Sequence, residues 1–154
     1  MKYWLMKTEP NVFSWDDLQA MPQQTTPWEG VRNYQARNFM RDDMKLGDRI
    51  FFYHSNVKPQ VIMGIATIAR EAYPDSFAFD PKSPYFDPKS NPDAPRWMMV
   101  DVRFESAFGP PITLDELKLH AAELDDMMLL QKGCRLSVQP VTVGQWQSIC
   151  NLRP

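Results

Sequence analysis

Pro74, Pro81, Pro84, Pro88, Pro92 and Pro95 break the middle of this chain, and nothing else in it limits the fold so strongly. Each proline removes a backbone donor and fixes φ, so neither a helix nor a sheet ladder runs through Tyr73 to Pro95. Aspartate, serine and asparagine, all turn formers, fill the gaps. Yet Tyr73, Phe77, Phe79, Tyr85 and Phe86 lie here too, and a disordered linker is poor in such rings. The segment reads as an ordered excursion from the domain.

On either side of it the pattern is that of short, mixed elements. Lys2 to Lys7 reads as a first strand, and Ser14 with Asp17 as an acidic capping box opening a short helix. Pro22 to Pro27 reads as a surface loop. Arg32 to Met40 has helical composition and is stopped by Gly47 and Asp48, after which Ile50 to Tyr53 begins a strand. Val61 to Ala69 is apolar and β-branched but interrupted by Gly64, the mark of a bulge or tight bend in a curved sheet. Met98, Val100, Val102 and Phe104 alternate with Met99, Asp101 and Arg103, the period of a half-buried strand. Thr113 with Glu116 and Thr142 with Gln145 predict two further capped helices, and Leu136 to Val141 a last strand. The expectation is a single α+β domain over residues 1–154, with about five to six strands on a curved or closed sheet and several short helices.

At 154 residues the chain needs no staple, and its two cysteines, Cys134 and Cys150, form no C-x-x-C. With no signal-peptide pattern before the first strand, this fits a reducing compartment. The longest uncharged apolar run, Val61 to Ala69, is half the length that spans a bilayer. A formal net charge of −2 gives no bulk grip on a polyanion, so any nucleic-acid contact must be local. Arg32, Arg37, Arg41, Lys45 and Arg49 outnumber Asp42, Asp43 and Asp48, whereas Asp115 to Asp126 is acidic. The ten methionines suit an irregular core.

Two clusters carry recognition chemistry. W-E-G-V-R-N-Y-Q-A-R-N, from Trp28 to Asn38, combines an aromatic, a glycine hinge, two arginines and two asparagines without a continuous apolar stripe. An indole face stacks on planar rings, asparagine both donates and accepts, and arginine forks match phosphates or base edges. F-Y-H-S-N, from Phe52 to Asn56, closes a probable strand. His54 and Ser55 are neighbours that face opposite sides of a strand, which is the wrong geometry for a serine nucleophile and its base. Lys7, Thr8 and Glu9 end the first strand, with Pro10 holding Glu9 extended. No Walker A, G-x-G-x-x-G or H-E-x-x-H motif is present, so nucleotide hydrolysis and metal catalysis are disfavoured. No catalytic residue, metal ligand or cofactor is assigned, and binding is favoured over catalysis.

Several of these stretches together resemble the EVE domain family, a branch of the PUA-like superfamily that includes the thymocyte nuclear protein group. The resemblance runs through K-Y-W-L-M-K-T-E-P at Lys2 to Pro10, G-V-R-N-Y-Q-A-R-N at Gly30 to Asn38, F-Y-H-S-N at Phe52 to Asn56, S-P-Y-F-D-P-K-S at Ser83 to Ser90, P-R-W at Pro95 to Trp97 and R-L-S-V-Q-P-V at Arg135 to Val141. Thr8 stands where serine is usual, and Phe86 where tyrosine is frequent. The resemblance implies a PUA-like pseudo-barrel that binds nucleic acid, DNA rather than RNA, and admits an extruded modified base, with modified cytosine the leading candidate. Trp28 and Tyr53 are then expected to wall the ring; Asn33, Ser55 and Glu9 to read its polar edge; and Gly30 and Val31 to leave room for it. Lys7, Thr8, His54 and Ser137 complete the pocket, which opens beside Asn33 and Ser55. Arg32, Arg37 and Lys89, together with Lys7, are expected to hold phosphates. A monomer is expected, in the cytoplasm of a bacterium or the nucleus of a eukaryote. Three alternatives stay open: an RNA-modification-related binding module, an enzyme using Glu9 or His54 as proton carrier, and an interaction module using the proline-rich excursion.

Overall fold

Six strands form one mixed sheet in the order β2-β5-β4-β3-β1-β6 in a computed structural model describing residues 1–154. They are β1 (Tyr3–Thr8), β2 (Thr25–Pro27), β3 (Arg49–His54), β4 (Val61–Pro74), β5 (Met98–Thr113) and β6 (Val138–Val141). β1 runs parallel to β3, and every other pairing is antiparallel. The sheet ends at β2 and β6, so the expected pseudo-barrel is curved but not closed. β4 and β5 are long because four register shifts let them coil around each other. One shift falls at Gly64, as its place in the apolar run predicted. A β-carbon there would collide with the Ser106 carbonyl and the Trp15 ring.

β1 and β3 have no face to water. Trp4, Met6, Ile50 and Phe52 point into one core with Trp15 and Trp28, while Leu5, Phe51 and Tyr53 point into a second core with Ile112 and Trp146. Period-two alternation therefore divides apolar residues between two cores rather than between core and solvent. Asp48, buried, ties the two strands at their start. Its carboxylate accepts from the Lys2 and Lys45 amides and from Trp4 Nε1.

The helices are short and defined by their caps. α1 (Trp15–Ala20) and α4 (Val143–Cys150) carry the full capping boxes expected of Ser14–Asp17 and Thr142–Gln145. α3 (Leu114–Leu119) is capped by Thr113 alone, because the expected reciprocal partner, Glu116, turns to Arg153. α2 (Tyr34–Asn38) starts two residues later than composition suggested, since the Asn33 side chain caps it at Ala36, and it continues as a π turn through Asp43. The supposed loop Pro22 to Pro27 ends in β2, an edge strand zipped onto Thr25↔Arg103 to Pro27↔Asp101. Its closing proline sits where no ladder donor is required.

Residues 75–95 form the ordered excursion. Asp80, Ser83, Asp87 and Asn91 each accept, through the side chain, the amide two residues ahead. This repeated turn chemistry replaces the ladder that the prolines forbid.

Candidate functional site

The end of β1, the turn after it, the strand-to-helix connection Thr26–Arg32, Tyr85 of the excursion and Ser137 before β6 enclose a cavity of about 230 Å³. Two wider hollows, near Lys2–Asp48 and Val57–Asp115, are lined mostly by exposed residues and carry no aromatic wall. Trp28 forms an inner wall of the cavity. Its amide donates to the Val100 carbonyl (2.8 Å), its ring lies edge-on to Phe52 at 5.6 Å and 88°, and only 8% of it is exposed. The indole is therefore held by the core while lining the cavity.

The opposite wall depends on a buried carboxylate. Asp75, fully buried, accepts from the Gly30 amide (2.9 Å) and from Arg32 Nη1 (2.9 Å) through one oxygen and from the Phe77 amide (3.0 Å) through the other. Arg32 also donates to the Tyr85 carbonyl through Nε and Nη2 and to its neighbour's carbonyl at Val31. The excursion is thereby fastened over the glycine hinge. Gly30 has φ +85, and the Tyr85 ring fills the space of its missing β-carbon.

Two charged groups of the cavity, Lys7 and Glu29, have neither an oppositely charged partner nor a side-chain hydrogen bond to another residue. Burial pushes the Lys7 ammonium pKa down, opposed only by the nearby Cys134 sulfur, and no carboxylate pairs with it. Burial pushes the Glu29 carboxyl up, against its own amide and with the Asp75 charge adding to the rise. Glu9, by contrast, accepts from Asn56 Nδ2 (2.8 Å), and the Thr8 hydroxyl donates to the Phe13 carbonyl (2.9 Å). An indole wall with one unpaired cation, one unpaired carboxyl and the Ser137 hydroxyl suits a small planar heterocycle with both donors and acceptors.

The cavity gathers Lys7, Thr8, Glu9, Trp28, Gly30, Val31, Arg32 and Ser137 from the expected set. It does not gather Asn33, Tyr53, His54 or Ser55, nor does it open beside Asn33 and Ser55. Asn33 is spent capping α2. The Tyr53 ring is fully buried in the second core with its hydroxyl on Gln60. His54 Nε2 accepts from the Trp15 amide (3.0 Å), and the Ser55 amide continues the β1–β3 pairing onto the Thr8 carbonyl. Arg32 is a clamp rather than a free cation. Arg37 lies outside, bonded to Asn38 and the Arg96 carbonyl, and Lys89 is exposed on the excursion. Glu29 and Tyr85 enter unannounced. Both sat inside motifs already noted, W-E-G and S-P-Y-F, and an acidic residue between an indole and a hinge glycine was the available signal.

An open mixed sheet whose strand ends frame one indole-walled cavity is the arrangement of a PUA-like binding domain. The chain belongs to the EVE domain family, whose model matches residues 2–152. It is 47% identical to rat thymocyte nuclear protein 1, over 97% of this chain and 73% of that protein. Its fold superposes on the human THYN1 protein crystallised in complex with 5-methylcytosine-containing DNA, with TM-score 0.93 and 46% identity over 99% of this chain and 98% of that one. A Pseudomonas putida protein matches with TM-score 0.92 and 48% identity, covering 99% of both chains.

Proposed function

We propose that this protein is a reader of modified bases in DNA, with methylated cytosine the leading candidate, and that it works by binding without chemistry. The observation carrying the reading is the human relative's complex with 5-methylcytosine-containing DNA, at TM-score 0.93 and 46% identity over nearly all of both chains. The cavity chemistry supports it. Extruding a base costs a few kcal/mol, which stacking worth about 1–3 kcal/mol per base and edge hydrogen bonds must offset. In this reading Trp28 faces the ring, and Lys7, Glu9, Glu29 and Ser137 meet its polar edge. Gly30 and Val31 shape the space beside it. Arg37 and Lys89, outside the cavity, reach phosphates. No helix is long and apolar enough to cross a membrane. A DNA reader acts as a single domain where DNA is, the nucleus of a eukaryote or the cytoplasm of a bacterium.

The test is fluorescence anisotropy with matched duplexes carrying cytosine or 5-methylcytosine, and their RNA counterparts, at two salt concentrations. Tighter binding to the methylated duplex at both salts is expected. Equal affinities across the set reject the reading, and turnover of the modified oligonucleotide by purified protein rejects its non-catalytic part.

A further inference from the structure

Tyr34 is a large, half-exposed ring with aromatic packing on one side only. It opens α2, directly after the connection that lines the cavity, and is 52% exposed. Its inner face stacks on Trp97, with centroids 4.9 Å apart and planes 25° apart. The Arg37 guanidinium lies 4.8 Å from the Tyr34 centroid and 6.0 Å from that of Trp97. A guanidinium on the outer face would be separated from Trp97 by nearly the sum of the two Tyr34 spacings. At 6.0 Å it does not sit squarely on the outer face, which the 52% exposure of Tyr34 leaves open to solvent.

The ring is rigid as well as open. Trp97 is itself buried, its Nε1 donates to Asp87 (2.7 Å), and the Arg32 guanidinium lies 5.5 Å from its centroid and 5.7 Å from that of Tyr85. Tyr85, Arg32, Trp97 and Tyr34 therefore form one cation–π and stacked series leading from the cavity wall to the surface. A pre-stacked ring flanked by a guanidinium is the combination on which unpaired bases stack irrespective of sequence.

We propose that Tyr34 is a second stacking platform, outside the cavity, which receives a base of the bound DNA other than the one being read. The inference rests on the DNA-reading function. It commits to a nucleobase because the open face is aromatic and its charged flank is cationic. Loss of the platform should weaken methylated and unmethylated DNA equally, since any base that has left the stack offers a π face irrespective of sequence.

Anisotropy titrations of wild type, Tyr34→Phe, Tyr34→Leu and Tyr34→Ala against both duplexes test this. Tyr34→Phe keeps the π face and should stay near wild type. Tyr34→Leu keeps an apolar cover on Trp97 but no π face, and it should lose roughly 5- to 150-fold on both duplexes, the fold-change equivalent of one stacked base, as should Tyr34→Ala. Unchanged affinity in Tyr34→Leu overturns the platform while leaving the reader intact, as does a loss confined to the methylated duplex. Absence of any DNA binding by the wild-type protein sinks the underlying reading instead. Thermal melts of all four proteins separate a packing effect. A lower Tm in Tyr34→Ala with DNA affinity intact assigns the ring to covering Trp97 and ends the proposal.

Discussion

The ring of Tyr85 lies 2.6 Å from where a β-carbon on residue 30 would stand, so Gly30 and Tyr85 share one space that only glycine leaves free. The backbone reinforces the demand, because φ +85 at Gly30 is a conformation that residues other than glycine rarely adopt. Gly30→Ala should therefore cost about 1–3 kcal/mol of stability from strain, with further loss from displacing Tyr85. Urea denaturation measures it, and a cost below a few tenths of a kcal/mol contradicts the steric account.

Asp75 joins the hinge to the excursion across more than forty residues of chain. Removing one partner of a buried ion pair leaves the other uncompensated, at about 3–5 kcal/mol. Asp75→Ala should approach that loss. Asp75→Asn, which keeps shape and one acceptor, should lose less. If both melt like wild type, the clamp is not what holds the wall.

His54 accepts a hydrogen bond from the Trp15 amide and is held neutral by burial, which depresses its pKa below the ordinary 6.5 despite the opposing charge of Asp16. For a group whose folded pKa is lowered, protons bind the unfolded chain more readily. The stability it contributes is then complete above pH 6.5 and is lost as pH falls through the folded value. Urea midpoints should drop between pH 8 and 5. His54→Gln, which accepts without titrating, should drop less, and parallel curves for the two proteins would refute the assignment.

Trp28→Ala should weaken binding to a 5-methylcytosine duplex by about 1–3 kcal/mol. Arg37→Ala should weaken all duplexes alike and reduce the salt slope. Equal losses on modified and plain DNA from both variants would remove the division of labour between cavity and surface.

Glu29 offers two acceptor oxygens and a negative charge to an amino edge only when ionised, and burial raises its pKa above the ordinary carboxylate value. Affinity for the modified duplex should therefore begin to fall at a higher pH than an ordinary carboxylate would dictate. In Glu29→Gln that pH dependence should flatten. A profile identical to wild type would transfer the role to Glu9.

What local chemistry determines was legible in the residues. Ser14 and Asp17, or Thr142 and Gln145, interact within one turn, so both capping boxes could be read directly. β2 could not, because three residues gain strand geometry only from β5, far away in the chain. The site divided along the same line. Lys7, Thr8 and Glu9 lie at a strand end and reach the cavity whatever the rest does. The polar sequence F-Y-H-S-N looked like a pocket, yet β3 is buried on both faces, and its hydrogen-bonding groups serve Trp15, Gln60 and Thr8 instead. Glu29 was hidden because its partner-free setting exists only once Asp75 and Tyr85 arrive.

One buried carboxylate takes amides from both Gly30 and Phe77, and that sharing has a dynamic consequence. Loss of that carboxylate would therefore expose both amides to exchange with solvent together, loosening the wall and its covering segment in one step.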